Sequence, residues 1–355
     1  MPDDRDSASP TRVQELSESP AADGTEPLVL PLDFSGTCLV PLTPEDGLPA
    51  DPSTLAALLV AHSFGDAALL LPSATAARRV MLETLRTHHR VAGRPKRRHL
   101  LVCAGPEPLP PEFAGDVEVS RVPEDIGAIR AEIGPRTAGI LVSPVRLAGG
   151  IELLPGAFLA ELRESADEYG LALVFDESDG GLGRTGMAFA HEWTGVTPDL
   201  MLVGEGAGVP LAALVLTVKV ARGLPGSLPQ VSPDALVAAA PVIGAALAPG
   251  FEARVQSLGW LLEDRLASLR YRRPDLFTGL VGTGLMQGLV CAAPAEDLAR
   301  RLAAEGLLVR AAGDVLAFLP PLNVGEAQII AAADRLDEVV AAMEAAPAGS
   351  ACVVT

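Results

Sequence analysis

The chain has 355 residues, 49% of them hydrophobic and 20% charged, which is enough for one large or two moderate domains around a sizeable core. Its formal net charge of −18 argues against nucleic acid or an anionic membrane as a partner, because both need a basic face. No run approaches the roughly 18 uninterrupted apolar residues of a membrane span; "LVAHSFGDAALLLP" is broken by His62, Gly65 and Asp66.

Residues 1–26 are polar, acidic and rich in Pro and Ser, and are expected to form a disordered arm. They lack the basic start and apolar core of a signal peptide, so a cytoplasmic location is expected. "PLVLPLDFSG" predicts a short strand entering a turn. "DPSTLAALLVAHS" starts a helix, with an Asp cap and a Pro at the first helical position. "AALLLPS" is a buried strand, and "ATAARRVMLETLRTHHR" a helix with Ala77, Val80, Met81, Thr84 and Leu85 on one face. Strands follow at "RRHLLVCAG" and "VEVSRVP", a helix at "PEDIGAIRAEIG" and a strand at "TAGILVSPV". "PGAFLAELRESADEYG" is a helix ending at a Gly cap. "LALVFDE", "PDLMLVG" and "AALVLTV" are strands. Short apolar strands alternating with helices predict a mainly parallel sheet wrapped by helices.

Beyond about residue 235 the pattern becomes a smaller α+β unit. A long helix ("APGFEARVQSLGWLLEDRLASLRYRR") leads to "LVGTGLMQGLVCA", a helix around "AEDLARRLAAEG", two strands and a last helix. "PAGSACVVT" is a tail. Cys38, Cys103, Cys291 and Cys352 show no metal-like spacing and are expected to be buried free thiols. Lys96 and Lys219 are the only lysines, which limits sharply where amine chemistry can occur.

Several motifs bear on chemistry. The strand ending at Asp176–Glu177 resembles a Walker B strand, but no phosphate-binding loop precedes it. "GEGAG" (204–208) hints at a dinucleotide loop but leads into a strand, leaving the pyrophosphate no helix N-terminus. Asp176, Glu177 and Asp179 have the residue types of a divalent-cation site; a solvated acidic turn is the plainer expectation. For His88–His89, between Arg86 and Arg90, a polar surface is expected rather than a metal site, and no metal is assigned.

Read together, longer stretches resemble one family. "LALVFDESDGGLGRTGMAFAHEWTGVTPDLMLVGEGAGVPLAALVL", the upstream "TAGILVSPVRLAGGIELLPGAFLAELRESADEYG", "VGTGLMQGL" and "EGLLVRAAGDVLAFLPPLNVGEAQI" look like the class III pyridoxal-phosphate (PLP) aminotransferases of the acetylornithine/ornithine type. The likeness covers roughly residues 30–345. It implies an α/β protein of PLP-dependent transferase fold type I: a large domain with a mainly parallel, seven-stranded-type sheet over 27–240, a smaller C-terminal α+β domain over 241–346, and a tail over 347–355. It also implies PLP as cofactor and a dimer, either a homodimer or a heterodimer with an active aminotransferase.

Position by position, the resemblance puts Glu205 where the family has its Schiff-base lysine, and keeps as Asp176 the Asp that pairs with the pyridine nitrogen. The Val–Gln that follows in the family is Ser178–Asp179 here, so Asp179 is set near the phenolic oxygen. The phosphate cup reads Ser73–Ala74–Thr75. The substrate-carboxylate arginine is Ala317, the Glu of the "EP" segment is Ser143, and "PQVSPD" faces the cross-dimer threonine. Glutamate cannot form an imine. The resulting expectation is a non-catalytic partner or regulatory subunit, with Asp176 left holding nothing. The alternative is an enzyme that uses the old cleft, with PLP bound non-covalently or with a repurposed site. Ordinary transamination through a remote lysine is a third reading.

Overall fold

The structure, a computed structural model, describes residues 32–35, 48–103, 117–204 and 209–345. The expected arm (1–26), the tail (347–355), Cys38, Cys352 and Glu205 lie outside the described residues, as does all but the first residue of "GEGAG".

In chain order the strands are β1 (Leu32–Phe34), β2 (Ala67–Leu71), β3 (His99–Cys103), β4 (Glu118–Val122), β5 (Thr137–Val142), β6 (Val145–Arg146), β7 (Glu152–Leu153), β8 (Ala172–Asp176), β9 (Leu200–Gly204), β10 (Ala212–Leu216), β11 (Phe277–Thr283), β12 (Met286–Cys291), β13 (Leu307–Ala312) and β14 (Val315–Phe318). The helices are α1 (Pro52–Ala61), α2 (Ala74–Val91), α3 (Ile126–Glu132), α4 (Gly156–Tyr169), α5 (Val218–Ala221), α6 (Pro233–Ala246), α7 (Phe251–Arg272), α8 (Glu296–Ala304) and α9 (Glu326–Ala345), with a 3₁₀ turn at Ala190–Thr194.

Seven strands form the larger sheet in the order β2-β10-β9-β8-β5-β3-β4. All run parallel except β10, which is antiparallel to both β9 and β2. The apolar runs that predicted these strands are explained by burial on both faces. Leu173 and Phe175 of β8 pack into one core cluster, with α1, α4, α6 and α7; Ala172 and Val174 pack into a second, under α2. This alternation is the period-2 register of a strand covered on both sides. α4 ends where the Gly cap predicts, at Gly170 in the left-handed conformation (φ 62°).

The smaller sheet has the order β1-β13-β14-β12-β11. The segment 32–35, grouped with the larger domain by sequence, is hydrogen-bonded into this second sheet instead. β1 runs parallel to β13, and the Leu319 amide donates to the Phe34 carbonyl at 2.7 Å. The two sheets are bolted together through the turn after β8. Arg184 is buried and donates from Nη1 to the carbonyls of Leu285 (3.3 Å) and Pro320 (2.8 Å); burial pushes its pKa down to about 10. At Gly284 (φ +56°) a Cβ would lie 2.5 Å from the Thr185 carbonyl carbon, so only glycine allows this approach. No single helix among the described residues is long and apolar enough to cross a membrane.

Candidate active site at the C-terminal edge of the large sheet

A parallel sheet gathers the C-terminal ends of its strands on one edge, and open α/β proteins place ligands there. Here that edge carries Ser73 after β2, Ser143 after β5, Asp176 at the end of β8 and Gly204 at the end of β9. The fold therefore brings Ser73–Thr75 and Asp176–Asp179 to the same edge. The neighbouring segments 36–47, 104–116 and 205–208 lie outside the described residues.

Asp176 is 3% exposed, and both of its carboxylate oxygens are engaged. Oδ1 accepts from the Ser178 amide (3.1 Å) and hydroxyl (2.6 Å). Oδ2 accepts from Arg78 Nη2 (3.1 Å) and, more weakly, from Nε (3.4 Å). The expectation that Asp176 holds nothing is thus corrected: it holds a guanidinium from α2. The signal was present in the sequence. Arg78 stands four residues after Ala74 and three before Met81, on the stripe of α2 that is otherwise buried and apolar. A cation on such a stripe asks for a buried anion.

The expectation of a solvated acidic turn is also overturned. Glu177 is 1% exposed. Its Oε2 accepts from the Ala190 amide (2.6 Å), and its Oε1 accepts from the His191 amide (2.8 Å) and lies 2.7 Å from His191 Nδ1. The second acid of the pair thus folds the 3₁₀ turn back onto the end of β8. Asp179 is half-buried and accepts from the Leu147 amide at 2.9 Å. Burial raises its pKa above the usual carboxylate value; the Leu147 bond opposes this, nearby Asp176 adds to it, and the charges of Arg310 and Arg78 lower it. Leu182, in the same turn, is buried with φ 55°, and is the one non-glycine residue with positive φ among those described. Among the described residues no group of three or more His, Cys, Asp or Glu is arranged to hold a metal ion.

Ser73 caps α2, its hydroxyl accepting from the Ala76 amide at 3.1 Å. Ala74 is buried and Thr75 is exposed in the first turn, where the helix dipole favours an anion. Ala317 is fully buried and packs in an apolar cluster with Val145, Ile151, Ala190 and Met286. Directly across the β13–β14 ladder stands Arg310, which is exposed.

Both lysines are on the other edge. Lys96 is exposed in the turn that precedes β3. Lys219 follows β10, the one reversed strand, and its Nζ lies 3.8 Å from Asp199 Oδ1, just before β9 begins. About 17 Å of strand separates it from the edge that bears Asp176. His88 and His89 close the same lower edge at the end of α2. The polar-surface expectation fails for His89, which is 1% exposed with Nε2 2.7 Å from the Ala138 carbonyl. That bond makes Nε2 the protonated nitrogen and leaves Nδ1 buried without a partner. Burial accordingly pushes the His89 pKa down to about 4. Cys103 and Cys291 are free and buried, as expected, and burial raises their thiols to about 12 and about 11.

The class-III aminotransferase family model matches residues 107–340. The acetylornithine aminotransferase 1 of Bradyrhizobium diazoefficiens is 37% identical over 82% of this chain and 78% of its own length. The acetylornithine aminotransferase of Rhodobacter capsulatus is 36% identical over 83% and 81%. The chain belongs to the class III aminotransferases. Its fold agrees: the crystal structure of N-acetylornithine aminotransferase from Stenotrophomonas maltophilia superimposes with a TM-score of 0.72, at 27% identity, covering 83% of this chain and 80% of that one.

Members of this family use PLP, and the described residues can be tested against it. The acid that would face a ring nitrogen is Asp176, and its acceptor sites are taken by Ser178 and Arg78. The residue that would face the phenolic oxygen is Asp179, an acid of raised pKa rather than a neutral donor. No lysine of the chain is on this edge. The first turn of α2 suits a phosphate; the ring seat, as arranged here, does not fit the cofactor.

Proposed function

We propose that this class III aminotransferase-family chain has lost transamination and acts as a non-catalytic partner or regulatory subunit, paired with itself or with an active aminotransferase. The observation that carries the reading is the placement of the two lysines on the edge opposite Asp176. Glu205 at the aligned lysine position supports it, because a carboxylate supplies no amine for an imine. The exposed Trp193 and Trp260 support the partner half. Trp193 borders Gly186, whose carbonyl Gln256 bonds at 2.7 Å, and Trp260 lies one turn further along α7. Exposed tryptophans of this kind are what a protein interface covers.

The test is borohydride reduction in the presence of PLP, followed by peptide mapping. The expected result is no pyridoxyl adduct at a unique residue. A stoichiometric adduct on Lys219 would restore the transaminase reading. Light scattering at micromolar concentration, alone and with an active family member, tests the pairing; a strict monomer under both conditions rejects it.

A second reading, an enzyme that uses the old cleft for other chemistry, is favoured by Asp179 with its raised pKa and by the exposed Arg310 whose charge reaches it. An absorbance change with added PLP that survives no reduction, together with turnover of any amino or keto acid, would favour it over the first.

A further inference from the structure

Asp176 is a buried acid that the chain has already neutralised. We infer that Arg78 occupies, with its own guanidinium, the seat that a protonated ring nitrogen would take, so that no pyridinium-bearing ligand settles at Asp176 unless Arg78 leaves. A carboxylate offers about four in-plane acceptor directions. Ser178 takes two on Oδ1, and the Arg78 Nη2 and Nε atoms take those on Oδ2, at 3.1 and 3.4 Å. A second cation on the same carboxylate would meet a guanidinium that does not deprotonate.

Arg78 is also held in place from its own side. It sits one turn inside α2, a helix of 18 residues whose start is fixed by the Ser73 cap and whose flanking residues Ala74, Ala77 and Met81 are buried. The side chain is only 20% exposed, so it has little freedom to swing into water. The seat is therefore filled by a part of the fold and not by a loose surface residue. This goes beyond the loss of the amine: a chain with lysine restored at position 205 would still find Arg78 on Asp176.

The probe is pyridoxamine 5′-phosphate, which carries no aldehyde and so reports the seat without reacting with any amine. Calorimetric titration of the wild-type chain is expected to show no saturable binding below about 1 mM, and Arg78→Ala and Arg78→Met are expected to bind at least about 30-fold tighter. Adding Asp176→Asn to Arg78→Ala is expected to abolish the gain. Arg78→Ala should also lower the thermal midpoint by roughly 5–10 °C, since it leaves a buried acid without its cation. Low-millimolar methylguanidinium, but not methylammonium, should recover part of that loss. If Arg78→Ala proves too unstable to titrate, Arg78→Met and the wild-type arm still decide. Micromolar binding to the wild-type chain overturns the inference, as do folded Arg78 variants that bind no better and are not rescued by methylguanidinium. Binding without turnover in the wild type would sink this inference alone; a reducible adduct with turnover would sink the proposed function.

Discussion

The two edges of the large sheet have the same backbone and opposite chemistry. The C-terminal edge buries its charges and matches each one: Asp176 to Arg78 and Ser178, Glu177 to His191 and two amides, Asp179 to the Leu147 amide. The opposite edge holds both lysines in water and has a buried acid, Asp199, beside one of them. Lys96 is exposed, Lys219 is 59% exposed, and Asp199 is shared between Lys219 and Arg163. Buried, matched charges resist loss because each partner is orphaned in a low-dielectric place, whereas exposed pairs exchange readily for water. On the edge that ligands use in such folds the buried acids are paired within the chain, and both lysines lie on the other edge.

Four measurements test this contrast. Glu177→Ala should have the largest effect, about 3–5 kcal/mol lost in urea unfolding, because three buried donors lose their acceptor at once. A loss below about 1 kcal/mol would mean the turn after β8 is not held by this acid.

At the lower edge, His89 makes stability depend on pH. Its pKa is about 4 in the fold against about 6.5 for a free imidazole, so the unfolded chain binds the extra proton between those values. Stability is fully present above pH 6.5 and falls as the pH drops toward 4, by roughly 1–2 kcal/mol after allowance for solvent screening. His89→Gln should flatten that part of the profile; an unchanged slope would assign it to other groups.

Asp179→Asn is expected to change stability at pH 7 by about 0.5–1 kcal/mol, in the stabilising direction, because the amide oxygen still accepts from Leu147 while a partly buried charge is removed. Destabilisation of that size would show that the carboxylate is needed by Arg310 or Arg78. Lys219→Ala should do least, less than about 0.5 kcal/mol, since its pair with Asp199 is long and the ammonium itself stands in water. A larger loss would remove the contrast between the edges.

Much of the fold was legible because buried parallel strands leave continuous apolar runs and helices leave caps. β8 and β9, the Asp51 cap and the Gly170 stop all fall where the sequence puts them. α6 was not foreseen, because its Pro241 reads as a breaker. The bond that Pro241 deletes is the one to the carbonyl of Val237, a residue 63% exposed, so water can satisfy the orphan. The placement of β1 was missed because three residues carry no record of which sheet they join. The acids at the end of β8 were legible in the sequence, but their pairing was not. Arg78 and Asp176 are 98 positions apart, and Glu177 and His191 meet only when the 3₁₀ turn folds back. Reading a motif one residue at a time finds the acids; partners that come from elsewhere in the chain need the topology.

The Arg78–Asp176 pair has a consequence for descent. An acid buried at the end of β8 needs a positive charge, and only two sources are at hand: a captured ring or a side chain from α2. The two are mutually exclusive tenants. Across relatives of this chain, a cation at position 78 should therefore travel with the absence of lysine at position 205, and a neutral residue at 78 with its presence. Where both cations occur together, the acid at 176 should have been replaced. That rule of inheritance can be checked by counting sequences.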